Sequence, residues 1–195
     1  LEARLLGIPS VGVEICPLSC MISRTKTSFP DSAIKINQLI KLFEEFYLSK
    51  QISFFEKNKK TFIHEDVLDR AGNNLRRFTN IEKWFTPEAL LGVSIVTEFA
   101  EKQKGYQREI ILTALSSRMR SVGNVDVDVI RAEYSKTPRK NVDVLRLTKN
   151  QLVKMSRDIE ETSSSHRKTI GKSDSVKLLQ GSVLDVKFSP GSISH

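Results

Sequence analysis

The fold class predicted for this chain is α/β: two parallel strands of a nucleotide-binding type of sheet, interrupted by a large, mainly α-helical insertion. Three observations predict it. LEARLL, Gly7 and the apolar run Val11–Ile15 give a helix, a helix-stopping glycine and a short buried strand, in the order of an αβ unit. A second apolar run, Val176–Gln180, ends at Gly181 in the manner of another strand. The span between them shows apolar spacing of helical period. Parallel neighbours require a crossover, and one of this length must contain elements of its own.

The opening unit sets the chemistry. Its strand carries an acid, Glu14, at its tip. In dinucleotide-type folds, the acid at the end of the second strand takes the ribose hydroxyls, about 20 residues beyond a glycine-rich turn. Here that turn is expected to precede Leu1, so the chain reads as a cut piece. An ordinary αβα piece with a surface glutamate fits the same local pattern.

Cys16 and Cys20 stand four apart in an expected helix, a poor disulfide arrangement, and read as reduced cysteines that are mostly buried. His64, His166 and His195 are scattered without ligand spacing, so no metal site is expected.

The following helix is expected from a cap at Asp31 or Ser32 to about Asn58, with Ile36, Leu39, Ile40, Phe43 and Tyr47 on its core face, widened by Phe46 and Phe54. Lys57–Lys60 reads as a solvated basic turn. Gly72-Asn73-Asn74 reads as a second turn, with a short helix starting at Leu75–Phe78. Thr86 and Pro87 form a helix entrance, cap and first position, and Leu91, Ile95 and Phe99 line one face of the helix that follows. Trp84 is read as an anchor for a helical pair. Gly105 separates a second amphipathic helix, Gln107 to about Arg120, with Ile111, Ala114 and Leu115 apolar.

Ser116–Lys140 changes character. Arg118, Arg120, Arg131, Lys136, Arg139 and Lys140 are interleaved with Ser, Asn124, Tyr134 and acids. Gly123-Asn124 turns the chain, and Thr137-Pro138 prevents a long helix. Such a mixture suits phosphate gripping and base-edge reading. By composition alone it also suits a charged surface loop, in which Asp126, Asp128 and Glu133 offset half the charge. Beyond it, Asn141 to about Ser163 is helical with Leu145, Leu152, Met155 and Ile159 apolar, and Ser163–Ser175 is a polar loop.

Composition bounds the classes. Hydrophobic residues make up 39% and charged residues 28% of 195, which suits a chain with a real core and excludes collagen-like or strongly disordered classes. The net charge of +8 favours a polyanionic partner, although a scattered lysine surplus would serve solubility alone. No apolar run approaches the ~20 residues of a bilayer span, and LEARLL lacks the layout of a secretory signal. The expectation is a cytoplasmic protein without a membrane partner. Its oligomeric state is not fixed by the sequence.

LEARLLGIPSVGVEICPLSCMISRTKT resembles the segment after the glycine loop in S-adenosylmethionine-dependent DNA amino-methyltransferases, the prokaryotic adenine-N6 and cytosine-N4 modification methylases. Glu14, Ile15 and Pro17-Leu18 carry the match. The Trp84-Phe85-Thr86-Pro87 entrance and Ser116–Lys140 are similar to a segment lying between cofactor strands in some of these enzymes. The resemblance implies a Rossmann-like methyltransferase fold, which places its third strand beside its second, so that Val11–Ile15 and Val176–Gln180 would be two adjacent parallel strands. Residues 1–30 would form a partial cofactor-binding αβα unit, 31–166 a helical insertion with its DNA-contact segment at 116–140, and 167–195 the return to the sheet.

It further implies that Glu14 binds the ribose hydroxyls of S-adenosylmethionine, Ile15 covers the adenine face and Ser182 its edge. In the family an acid follows the strand-ending glycine. Here Ser182 takes that place, and Asp185 matches a second acid often found there. DNA contact is implied for Arg118, Arg120, Asn124, Arg131, Lys136, Arg139 and Lys140. The catalytic Asp/Asn/Ser-Pro-Pro-Tyr/Trp motif is expected just beyond His195, so no catalytic residue is assigned and the chain is expected to be inactive alone. The covalent cytosine-ring mechanism, which needs a cysteine after a proline, finds no support in Cys16-Pro17. Two rivals are an RNA amino-methyltransferase fragment and a non-enzymatic helical nucleic-acid-binding module.

Overall fold

The computed structural model describes residues 1–28, 33–58, 62–71, 78–126, 133–135, 137, 139–166 and 176–186. The chain divides into two compact units, Leu1–Asp31 with Asp158–His195, and Ser32–Arg157.

The first unit opens with helix α1 (Glu2–Leu5), followed by strand β1 (Ser10–Glu14), helix α2 (Pro17–Thr27) and strand β2 (Val176–Gln180). The expected helix stop has a specific geometry. Gly7 adopts φ +69, its N–H donates to Arg4 O at 3.2 Å, and Ile8 N–H donates to Ala3 O at 2.8 Å. This is the Schellman arrangement, in which a left-handed residue lets the chain satisfy the last free carbonyls of the helix.

β1 and β2 pair in parallel, with Ser10 opposite Val176, Gly12 opposite Leu178 and Glu14 opposite Gln180. The expected strand pair is therefore present. Its first member runs Ser10–Glu14 rather than Val11–Ile15, because Ile15 already belongs to the turn into α2. A side chain at Gly12 would lie 2.7 Å from Leu178 Cδ2, so glycine lets the leucine fold across β1. α2 begins with Pro17 in its first turn, where a missing N–H costs nothing, and packs on both strands.

The second unit is helical: α3 (Ala33–Lys57), α4 (His64–Ala71), α5 (Ile81–Trp84), α6 (Pro87–Glu101), α7 (Gly105–Val122) and the first part of α8 (Val144–Ser165). The entrance to α6 is as expected, with Thr86 Oγ1 accepting from Ala89 N–H at 3.2 Å and Pro87 in the first turn. α6 is not a one-faced helix, however. Ala89 through Val96 are all buried, because α3, α4 and α7 all pack on it. A helix apolar on every side is a central helix. The sequence shows this as nine residues without charge between Glu88 and Glu98.

The core face of α3 matches the expectation. Ile36, Leu39, Ile40, Phe43, Tyr47 and Phe54 are buried, and Phe43 and Phe46 meet Phe99 of α6 at ring distances of 5.4 and 5.2 Å. α4 is fixed to α6 by Arg70, whose Nη1 donates to Ser94 Oγ at 2.8 Å and whose Nη2 pairs with Glu98 at 2.5 Å.

α8 departs from the expectation. Its buried stripe in this unit is Val144, Thr148, Leu152 and Ser156, while Leu145, Met155 and Ile159 are only partly buried. Lys149 Nζ meets Glu44 at 2.6 Å and Ser156 Oγ meets Asn37 Oδ1 at 3.5 Å. Seven residues separate the contacts on each helix, so α8 runs antiparallel to α3. The buried face combines apolar Val144 and Leu152 with small polar Thr148 and Ser156, which an apolar count alone misses.

The cap at Asp31 or Ser32, Lys59–Lys60, the Gly72–Asn74 turn and the start of the Leu75–Phe78 helix lie outside the described residues. The same holds for residues 167–175 and 187–195. No helix among the described residues is long and apolar enough to cross a membrane.

Candidate functional site

Glu14 stands at the carboxyl end of β1, the edge where parallel sheets receive ligands. Its main chain is held twice: its carbonyl accepts from Gly181 N–H at 3.0 Å and from the Cys20 thiol at 3.2 Å. The first bond brings the end of β2 to the acid, and Ser182 follows directly. Glu14 and Ser182 therefore share one sheet edge, as the two strands in register require.

The Glu14 carboxylate turns toward α2, where Oε1 accepts from Cys16 N–H at 2.9 Å. Cys16 caps that helix, so the acid sits at a site of positive partial charge. A carboxylate offers about four lone-pair positions, and one bond leaves capacity for hydroxyl donors. Sequence reading missed this contact, although an acid two residues before a helix cap was visible.

Ser182 Oγ accepts from Leu184 N–H at 3.2 Å, and Ser182 O accepts from Asp185 N–H at 3.0 Å. The serine thus closes the turn after β2, and its hydroxyl proton remains available to a ligand acceptor. Ile15 is 71% exposed, an apolar face beside the acid. Asp185 is exposed.

The cysteines differ from the expectation that both are mostly buried. Cys20 is buried, but Cys16 is exposed at the start of α2. Hydrogen bonding from the Ser19 backbone N–H, aided by the Ser19 hydroxyl and Leu18 N–H, holds the Cys16 thiol below its ordinary range, against an opposing effect of Glu14. One thiol per chain is expected to react with Ellman's reagent in the folded protein, and the second only in denaturant. Two thiols reacting at equal rates without denaturant would contradict this placement.

The basic segment is brought together only in part. Arg118 Nη2 hydrogen-bonds Gln151 Oε1, a contact from α7 to α8, and the side chain is partly buried. Asn124 is only 4% exposed. Its Oδ1 accepts from Arg139 N–H at 3.0 Å and its Nδ2 donates to Lys83 O at 3.4 Å. Its backbone also bonds Trp84 O and Ser135 N–H, both at 2.7 Å. The chain itself engages both ends of this amide, so Asn124 serves as an internal fastener and not as an exposed base reader.

Arg139 reaches back to the end of α7, where Nη1 donates to Ser121 O at 3.1 Å, a favourable place for a cation. Arg120 and Lys140 are exposed. Arg131 and Lys136 lie outside the described residues. Two residues of α5, Lys83 and Trp84, meet Tyr134 of this segment. Trp84 packs edge-on against Tyr134 at 5.9 Å, and Lys83 Nζ lies 5.7 Å from the Tyr134 ring centre. Tyr134 is 52% exposed and is held by an antiparallel bridge to Val125. A half-exposed ring beside a cation can meet a base or a sugar as well as a protein surface.

Among the described residues, no three His, Cys, Asp or Glu side chains are grouped closely enough to hold a metal ion. Comparison with known proteins gave no matching family model, no matching curated protein and no matching solved structure.

Proposed function

We propose that this chain carries the adenosine-binding edge and a nucleic-acid-contacting helical insertion of an S-adenosylmethionine-dependent DNA amino-methyltransferase with a Rossmann-like sheet. The observation that carries the reading is the parallel register of β1 and β2, with Gly181 N–H bonded to Glu14 O. It puts a carboxylate, an exposed isoleucine and a serine hydroxyl on one carboxyl edge. Those groups fit the ribose and adenine of the cofactor: acceptor for hydroxyls, apolar cover for a ring, donor for a ring nitrogen. The cofactor itself would supply the activated methyl group, and the residues named here would bind and orient it.

The adenosine half is tested by calorimetric titration with S-adenosylhomocysteine. Binding is expected, and Glu14→Gln should weaken it about tenfold, roughly 1.4 kcal/mol for a charge-assisted bond lost. No heat from the unmodified chain at millimolar ligand, or an unchanged affinity for the variant, would remove the cofactor from this reading.

DNA contact is assigned to the exposed cations. Arg120→Ala with Lys140→Ala is expected to lower the salt slope of duplex binding by about 2, with little sequence dependence. An unaltered slope sinks the assignment. Arg118 is a poorer probe, since it is partly buried and its loss also removes the contact to Gln151; Arg120→Ala removes a bond to Asp126 O, so circular dichroism accompanies the double variant.

A non-enzymatic helical nucleic-acid-binding module is the second reading. It is favoured by the compactness of the Ser32–Arg157 unit, which has its own core. Duplex binding without any S-adenosylhomocysteine binding would select it. An RNA amino-methyltransferase would show cofactor binding with preference for structured RNA over duplex DNA.

A further inference from the structure

A cleft of about 710 Å³ opens in the helical unit, within the size range of small-molecule sites. Its walls are apolar: Trp84 at the end of α5 and Phe85 after it, Leu90 and Val93 on α6, Met119 on α7, and Val125. Leu90 and Val93 are almost fully buried and form the floor. Phe78, also lining the cleft, is 64% exposed, a large ring left at the opening. Arg120 is the cation of this lining, and it is exposed. Its Nη2 donates to Asp126 O at 3.3 Å, which holds the guanidinium beside the Val125 wall.

We propose that this cleft binds a small amphipathic carboxylate, with its hydrocarbon body against Trp84, Phe85 and Met119 and its anionic end on Arg120. The polarity pattern selects the ligand class. Apolar walls favour a hydrocarbon or a flat ring by removing its surface from water. A guanidinium at the mouth of such a cleft favours an anionic end and opposes a cationic one. A neutral apolar ligand would gain the walls but not the charge. The site stands independently of the cofactor reading, since it lies wholly in the helical unit and uses neither Glu14 nor Ser182; it shares Arg120 with the DNA-contact assignment, and the ligand comparison below uses no nucleic acid.

Trp84 is the only tryptophan of the chain, so its emission reports directly on the cleft. Decanoate, added below its micellar concentration, is expected to give a saturable change in Trp84 fluorescence. Decanol should bind about tenfold more weakly, and decyltrimethylammonium should give no saturable change. Arg120→Gln is expected to bring decanoate and decanol to similar affinity. Val125→Phe, at a partly buried wall position, should abolish the change by filling the cleft, with circular dichroism confirming that the helices persist.

Should either variant fail to fold, the three-ligand comparison on the unmodified chain still decides. Equal binding of the cationic and anionic amphiphiles, or no saturable response to decanoate, overturns the proposal. A preference for decanoate that survives Arg120→Gln in a folded chain overturns it as well.

Discussion

Phe43→Ala is expected to lower the unfolding free energy of the helical unit by about 4 kcal/mol. Phe43 is fully buried in α3, and its ring meets Tyr47 at 6.0 Å and Phe99 at 5.4 Å. Truncation removes the transfer free energy of the ring and leaves a void. The neighbouring rings are anchored on two helices and relax only partly into it. Domains are stable by roughly 5–15 kcal/mol, so this single change consumes a large part of the margin. Urea unfolding followed by far-ultraviolet circular dichroism measures it. A loss below about 1 kcal/mol would mean that α3 and α6 do not share the aromatic cluster described here.

Gly92→Ala is expected to cost about 2–3 kcal/mol, although alanine is intrinsically the better helix former by about 1 kcal/mol. An added Cβ would sit 2.6 Å from Tyr47 Oη and 2.6 Å from both Cβ and Cγ2 of Val144. The tyrosine hydroxyl can swing aside, but the valine Cβ moves only with the backbone of α8. Glycine is therefore the residue that lets α3, α6 and α8 approach at one point. The same denaturation series tests it, and a stabilised variant would show that the helices are further apart.

Much of this architecture was readable because its signals are local and periodic. Gly7 stopping α1, Thr86 and Pro87 starting α6, and the apolar face of α3 are set by neighbours in sequence. The strand pairing was expected from the fold that the resemblance implies, which sets these strands side by side, and not from the two apolar runs themselves.

What was not readable depends on distant partners. The buried stripe of α8 sets Thr148 and Ser156 beside Val144 and Leu152, and Ser156 Oγ meets Asn37 of α3, a partner more than a hundred residues away. α6 was assigned one apolar face, since three helices covering it are invisible to its own period. In the candidate site, Glu14 and Ser182 were located by strand register. Asn124 was misjudged for the opposite reason: a Gly-Asn turn in a basic stretch resembles an exposed loop until Lys83, Ser135 and Arg139 are seen closing on it. Exposure is a tertiary property, and no residue type announces it.

The twin anchoring of the Glu14 carbonyl has an entropic consequence. With the main chain at the strand tip clamped from the neighbouring strand and from the adjoining helix, anything that seizes the carboxylate freezes only side-chain rotors. That ordering penalty is on the order of 1 kcal/mol, whereas an acid on an unrestrained loop would also surrender several backbone torsions. A ligand held at this tip would therefore lose less of its contact energy to ordering the protein than one held by a free loop.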